Sequence, residues 1–162
     1  MKRVICHWSE GHYKANSTDL EHYHILIQGD GSVIRGDHPI SDNVDVTDDD
    51  YAAHTRGCNT GSIGVSICAM VGCNERPFQP GNEPMKESQW DTMVQVVAEL
   101  CKFYNIPVTP TTVLGHGEVQ QNLGIVQRGK WDPMVWPWNP AANHATVGAA
   151  LRTQVSQTLA NL

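Results

Sequence analysis

Ser62-Ile63-Gly64-Val65-Ser66-Ile67-Cys68-Ala69-Met70 is the stretch that decides the fold. Its residues are almost all apolar or small, and no charged side chain interrupts it. A run of this kind is typical of a strand that is covered on both faces, at the centre of a sheet. We therefore predict a central strand here, with the other strands and the helices arranged around it.

Four shorter runs are predicted to complete the sheet. Residues 23–28 are rich in aromatic and β-branched side chains, and the Asp30-Gly31 pair after them is a strong hairpin signal. The hairpin predicts a returning strand over residues 32–35. The other two strands are expected over residues 3–8 and residues 113–114.

Helical periodicity is clearest over residues 86–104, where apolar side chains recur at three- and four-residue spacing. Asn105 and the proline that follows it are expected to end this helix. A second helix is predicted over residues 145–159. Residues 10–18 and 120–128 are interpreted as loops. The fold class is therefore α/β, with a central mixed β-sheet flanked by α-helices in a single domain over residues 1–162.

Composition restricts the choice of partners. The chain has 162 residues, normal apolar content and a formal net charge of -6. The negative charge and the lack of a basic face argue against nucleic acid. No apolar run is long enough for stable membrane insertion. The first residues enter a strand without a secretory signal, so we expect synthesis in the cytoplasm.

The five cysteines form no CxxC pair and have irregular spacing. An odd count without a repeated spacing does not indicate a disulfide framework. We expect mostly free and partly buried thiols, although pairing of Cys68 with Cys73 stays open at this level.

Three polar residues could form a metal site. His7 and His116 each lie where an apolar strand run gives way to a polar loop, the usual position of a site in an open α/β sheet. Asp132, in the same Gly- and Pro-punctuated segment as His116, offers a hard oxygen ligand. Two histidines and one carboxylate form a catalytic zinc set, since they leave the fourth position for water. Spacing alone makes zinc possible without requiring it.

Several motifs in a fixed order resemble the zinc N-acetylmuramoyl-L-alanine amidases. These enzymes are the type 2 amidase or peptidoglycan recognition protein superfamily, and the closer pattern is its phage lysozyme-type endolysin branch. The resemblance covers about residues 3–140, and the predicted C-terminal helix follows over about 145–160. The motifs are His7-Trp8, Tyr23-His24-Ile25-Leu26-Ile27, Asp30-Gly31-Ser32-Val33, His54-Thr55-Arg56-Gly57-Cys58-Asn59-Thr60-Gly61-Ser62-Ile63-Gly64-Val65, Gly115-His116-Gly117-Glu118-Val119 and Lys130-Trp131-Asp132-Pro133.

The resemblance implies a zinc ion held by His7, His116 and Asp132. It implies hydrolysis of the amide bond between N-acetylmuramic acid and L-alanine in peptidoglycan. Tyr23 matches the active-site tyrosine, which would orient the nucleophile or transfer a proton, and Lys130 matches the catalytic lysine, which would stabilise the developing oxyanion.

Other residues are expected in the surroundings of the metal. The resemblance implies that His24 and His54 lie near the metal without being its ligands. Glu118 is expected either to hydrogen-bond a ligand histidine or to be a solvent-exposed loop carboxylate. Asn59 and Thr60 are expected either to contact the muropeptide or to support a turn.

Aromatic side chains and loop lengths add further expectations. Trp8 and Trp131 are candidates for lining a sugar-binding groove, whereas Trp136 and Trp138 could equally pack the C-terminal segment. The loop between His7 and Tyr23 is shorter than in the family, and the one between His116 and Lys130 is longer. The other four histidines are interpreted as surface residues: His12, His22, His38 and His144.

The biological role is predicted to be that of a phage or prophage-type endolysin, acting on the cell wall after release as a monomer. Two alternatives stay open: a cytoplasmic amidase that recycles anhydro-muropeptides, and a non-lytic peptidoglycan-binding module. The recycling branch carries a catalytic glutamate after its Ser-Ile-Gly run, where this chain has Ser66. The resemblance therefore favours the tyrosine pattern.

Overall fold

The apolar run at 62–70 forms β4 (Ser62–Ile67), the middle strand of a five-stranded sheet. The structure is a computed structural model that describes residues 1–162. The strand ends three residues earlier than the apolar pattern predicts. The other strands are β1 (Arg3–Trp8), β2 (Ile25–Ile27), β3 (Val33–Arg35) and β5 (Val113–Gly115).

The sheet is mixed, as predicted, with the order β3-β2-β4-β1-β5. The central strand β4 pairs in parallel with β1 and with β2, and β1 pairs in parallel with β5. Only the β2–β3 hairpin is antiparallel, which agrees with the Asp30-Gly31 turn signal. The parallel strands therefore end at the same edge, where polar residues that follow them can meet.

The two faces of the sheet have different partners because side chains alternate along each strand. One face carries the main core and packs against α2 (Glu87–Tyr104) and α4 (His144–Ala160). The opposite face, called here the site face, carries His7 on β1, Ser66 on β4 and a small apolar cluster at its edge. The small cluster consists of Ile5, Cys58, Leu114 and Val119.

Both long helices agree with the sequence pattern to within one residue at each end. The apolar stripe of α2 is buried, and Asn105 ends the helix in the left-handed conformation with φ 54°. The α4 helix begins after Asn143, whose side chain accepts a hydrogen bond from the backbone N–H of Thr146. None of the helices is long and apolar enough to cross a membrane.

Two predicted loops contain short helices, so those predictions were wrong in part. α1 (Ser17–His22) follows a capping box made by Asn16 and Asp19, and Tyr23 ends this helix instead of beginning β2. A 3-10 turn (His116–Glu118) continues into α3 (Val119–Leu123). Helices of one or two turns give too little periodicity to detect, so only their caps signal them. The five cysteines are free thiols.

Candidate metal centre

The parallel pairing of β1 with β5 brings the two candidate histidines together. Cys6 lies opposite Gly115 in this pairing, so the next residues, His7 and His116, emerge side by side on the site face. Their ring centroids are 4.8 Å apart. The sheet register therefore supplies two of the three candidate ligands.

Asp132 completes the group from the loop that follows α3. Its Oδ2 lies 3.2 Å from His7 Nδ1, and its Oδ1 lies 3.5 Å from His116 Nδ1. One ligand atom from each residue lies within 4.8 Å of the others, and all three residues are buried. Two imidazole nitrogens and a carboxylate oxygen with this spacing are a donor set that fits Zn²⁺.

Protonation at neutral pH suits metal binding, because ligands must be deprotonated at the donor atom. Burial is the main cause that lowers the pKa of His7 to about 4, so its ring is neutral. Burial by itself would raise the pKa of Asp132. Side-chain contacts with His116 and His7 outweigh that effect, so the pKa of Asp132 is lowered and the carboxylate is ionised.

Each candidate histidine ligand also has a hydrogen-bond partner on the side of its ring away from Asp132. His7 Nε2 lies 3.2 Å from His54 Nδ1, and His54 Nε2 lies 3.3 Å from the carbonyl oxygen of Ser62. His116 Nε2 lies 2.6 Å from Gln127 Oε1. Outer partners of this kind orient metal-bound histidines in proteins.

His54 and His24 lie beside the group without contacting Asp132. The ring of His54 lies directly over Gly64, where a Cβ atom would come within 2.6 Å of His54 Cγ, so the ring can pack here only over a glycine. His24 Nδ1 accepts a hydrogen bond from Gly64 N, and His24 Nε2 donates to Asn43 Oδ1 at 2.9 Å. Both nitrogens of His24 are therefore occupied by the scaffold.

A groove of about 760 Å³ opens beside the candidate ligands, and His116 and Asp132 line it. Tyr23 lines it with its ring centroid 5.1 Å from that of His7, and desolvation raises the pKa of its phenol above the usual range. Lys130 is exposed on the same groove. Its positive charge is one of the smaller causes that lower the pKa of His7. Tyr23 and Lys130, the two catalytic residues predicted from the sequence, therefore both lie near the candidate metal position.

The profile of the family described as N-acetylmuramoyl-L-alanine amidase matches residues 1–135 of this chain. The chain belongs to the N-acetylmuramoyl-L-alanine amidase family.

Solved structures with the same fold are similar to this amidase at low sequence identity. The amidase LysC from Clostridium intestinale URNW has 16% identity and a TM-score of 0.54, over 96% of this chain and 85% of that chain. The amidase AmiD from E. coli, in complex with anhydro-N-acetylmuramic acid-L-Ala-D-γ-Glu-L-Lys, has 17% identity and a TM-score of 0.56. That alignment covers 98% of this chain and 57% of AmiD. No curated protein matches.

Glu118 lies in neither of the two environments predicted for it in the amidase. It is buried, and its carboxylate accepts hydrogen bonds from Gly115 N and from both terminal nitrogens of Arg152. It contacts no histidine, so both the predicted hydrogen bond and the solvent-exposed alternative are wrong. The reason is the docking of α4, where Gly148 has no side chain and leaves room for the carboxylate.

Asn59 and Thr60, both in the motif at 54–65, lie in different environments. Asn59 reaches the wall of the groove, but its Oδ1 accepts hydrogen bonds from the backbone N–H groups of His54 and Thr55. Thr60 is exposed and lies outside the groove lining. The structure thus gives Asn59 a turn-supporting contact and brings no contact between Thr60 and the candidate ligands.

The tryptophans of the amidase divide into two groups. Trp8 and Trp131 both line the groove, with ring centroids 4.7 Å apart. Trp136 stacks on Trp138 at 6.0 Å and contacts Trp90 of α2 at 5.5 Å. Trp131 is therefore open to a ligand, whereas Trp8 is buried in the main core. Trp136 and Trp138 pack the C-terminal segment.

Several groove residues were not predicted from the sequence. Gln127 is buried beside His116, and Arg56 and Arg128 are exposed in the groove lining. His22, interpreted as a surface residue, also lines the groove. A glutamine or an arginine in an irregular loop carries no periodic signal. Only the position of Arg56 inside the motif at 54–65 could have marked it.

Two further polar groups lie outside the candidate ligand set. Ser66 Oγ is buried without a hydrogen-bond partner, on the strand position opposite His7. The His38 ring lies 3.3 Å from the carboxylates of Asp42 and Asp50, at a partly exposed position away from the groove. Both carboxylates approach the same ring nitrogen, so local polar contacts account for the arrangement of His38, Asp42 and Asp50.

Proposed function

We propose that the amidase is zinc-dependent and hydrolyses the amide bond between N-acetylmuramic acid and L-alanine in peptidoglycan. One observation carries the proposal. One ligand atom from each of His7, His116 and Asp132 lies within 4.8 Å of the others beside the groove, in a chain that belongs to the amidase family. Three protein ligands leave a coordination position open, which is the arrangement of catalytic zinc sites.

The ion would be held by His7, His116 and Asp132. Zinc, when bound, activates a water molecule at neutral pH and polarises a carbonyl group. Lys130 supplies a second positive charge beside the reacting carbonyl and stabilises the oxyanion as it develops. Tyr23 stays protonated at neutral pH because desolvation raises the pKa of its phenol. It can therefore donate a hydrogen bond that orients the nucleophile or the carbonyl oxygen.

The charge distribution supports an anionic substrate. The whole chain has a formal net charge of -6, yet the groove lining has three cationic side chains, Arg56, Arg128 and Lys130, against two carboxylates, Glu10 and Asp132. A cleft in which one sign of charge is in excess attracts ligands of the opposite sign. Peptide stems that carry carboxylates meet this requirement, and the partly exposed ring of Trp131 offers a flat apolar surface to a sugar.

We assign the biological role to the phage-type lytic branch. By the family resemblance, Ser66 matches the position where the recycling branch has a glutamate. The Tyr23 ring lies 5.1 Å from that of the candidate ligand His7, which supports the tyrosine pattern. An endolysin of this type acts on polymeric peptidoglycan. The recycling alternative would act on soluble anhydro-muropeptides, and a binding module would act on neither.

Mass analysis of digested substrates tests the proposal. Purified protein with zinc is incubated with sacculi and, separately, with soluble anhydro-muropeptides, and the Asp132→Asn variant is the matched control. We expect free N-terminal L-alanine on intact glycan strands, lost with a chelator and with Asp132→Asn. New reducing sugar ends, or cleavage within the peptide, would refute the amidase assignment. Activity confined to the soluble substrate would replace the lytic role by the recycling role.

A further inference from the structure

Gln127 is a buried side chain whose two polar atoms both have close partners. Its Nε2 donates to the backbone carbonyl of Arg56 at 2.6 Å, and its Oε1 lies 2.6 Å from His116 Nε2. The residue is 5% exposed. Its backbone N–H donates to the Oε1 of Gln120 on α3 at 3.0 Å. Both the side chain and the backbone of Gln127 are therefore held by neighbours.

These partners determine which way the Gln127 amide faces. An amide NH₂ group only donates hydrogen bonds, an amide oxygen only accepts them, and a backbone carbonyl only accepts. The carbonyl of Arg56 must therefore face the NH₂ group, which turns Oε1 towards His116. The reverse orientation would bring two acceptor oxygens together at 2.6 Å.

The orientation of Gln127 in turn determines the tautomer of His116. Oε1 can only accept, so His116 Nε2 must carry the proton. A neutral imidazole has a single N–H group, and Nδ1 then holds a lone pair. Nδ1 is the nitrogen that faces Asp132, at 3.5 Å from Oδ1. The 2.6 Å contact on the other side of the ring is much the shorter of the two.

We propose that Gln127 is a positioning residue that holds His116 in the Nε2–H tautomer, with its Nδ1 lone pair ready for a metal ion. The inference rests on the proposed zinc site and adds a role for the long loop after α3. The loop brings Gln127 against the His116 ring. Arg128 follows with a left-handed backbone, φ 56°, and Lys130 lies two residues further along the chain. The carbonyl of Arg56 acts through Gln127 and does not touch the ring itself.

Zinc affinity of three variants tests the proposal. Gln127→Met keeps the size of the side chain and removes both hydrogen bonds. We expect its zinc affinity, measured by competition with a chromophoric chelator, to fall about 10- to 100-fold, as is usual for the loss of an outer partner. Gln127→Glu keeps an acceptor for His116 and should restore wild-type affinity, even if the lost donor to Arg56 lowers its melting temperature.

Gln89→Met is the matched control. Gln89 is also fully buried, and its Nε2 donates to the carbonyls of Ile27 and Cys68, away from the groove. This variant should lower the melting temperature and leave zinc affinity unchanged. Equal losses of affinity in Gln127→Met and Gln89→Met would mean that general destabilisation is responsible, and would overturn the positioning role.

Imidazole ¹⁵N NMR on metal-free protein provides a readout that needs neither zinc nor activity. At pH 8 the wild-type His116 ring should show a protonated Nε2 and an unprotonated Nδ1, and Gln127→Met should show a mixture of the two tautomers. A proton on Nδ1 in the wild type would overturn the proposal. If the wild type binds no zinc, the zinc assignment fails, and the ring spectrum still decides whether Gln127 sets the tautomer.

Discussion

The ion pair between Arg152 and Glu118 is the contact whose loss should most reduce stability without touching the groove. Arg152 donates from Nη2 to Glu118 Oε1 at 3.0 Å and from Nη1 to Glu118 Oε2 at 3.1 Å. Its Nη1 also donates to the carbonyl of Val113 on β5. The pair thus ties α4 to the strand that leads into His116. We predict that Arg152→Met leaves the Glu118 carboxylate buried without its cation.

The magnitude follows from the burial of the two side chains, which are 16% and 8% exposed. Removing one partner of a buried ion pair costs about 3–5 kcal/mol. The partial exposure of Arg152 and the remaining hydrogen bond from Gly115 N place this case near the lower end, at about 3 kcal/mol. A chain of this length loses about 2–4 °C of melting temperature for each kcal/mol, so the expected fall is about 6–12 °C.

Calorimetric melting of metal-free protein is the appropriate assay. Arg152→Met, Glu118→Gln and the double variant form a cycle in which the double variant should be less destabilised than the sum of the single variants. Arg128→Met removes an exposed arginine and should leave the melting temperature unchanged. An unchanged melting temperature in Arg152→Met would refute the reasoning. If Glu118→Gln kept normal stability but bound no zinc, Glu118 would support the metal site and not the ion pair with Arg152.

Three further outcomes are expected. Asp132→Asn should lose bound zinc on gel filtration, measured by elemental analysis, and retention of one zinc per chain would remove Asp132 from the ligand set. Lys130→Met should keep its zinc and lose about 10²–10³-fold in kcat, because a cation at the oxyanion is lost; an equal loss of zinc would contradict that role. Burial lowers the pKa of His24 from 6.5 to about 4, so the unfolded chain takes up a proton first as pH falls. Unfolding titrations should therefore show about 2 kcal/mol less stability at pH 5 than at pH 7 from this residue, a slope that His24→Gln removes and His22→Gln does not.

The sequence was sufficient for the long elements of the fold. The apolar run at 62–70 predicts the central strand, and the stripe over 86–104 predicts α2, because both signals are local and repeat along the chain. The ends of elements were less well predicted. Tyr23 reads as a strand residue and does have an extended backbone, but it is the residue that ends α1, and the paired strand β2 begins only at Ile25.

Local strand patterns also predicted His7 and His116 as candidate ligands. His7 and His116 follow apolar strand runs, and parallel strands that pair side by side bring such residues to the same edge of the sheet. Asp132 was a candidate because it lies in the same Gly- and Pro-punctuated segment as His116, and the family resemblance added its role as a zinc ligand. Its roles and those of Lys130 and Tyr23 stay proposals that the substitutions above address.

Only the tertiary structure decided which side chains surround those ligands. Gln127 meets the Arg56 carbonyl across 71 positions of sequence, and Arg152 meets Glu118 across 34 positions. Such contacts depend on how α3 and α4 dock on the sheet, and no short-range pattern encodes a docking angle. By itself, the sequence determined a mixed sheet with two histidines at one edge. Packing decided which partner lies on the far side of each ring, His54 for His7 and Gln127 for His116.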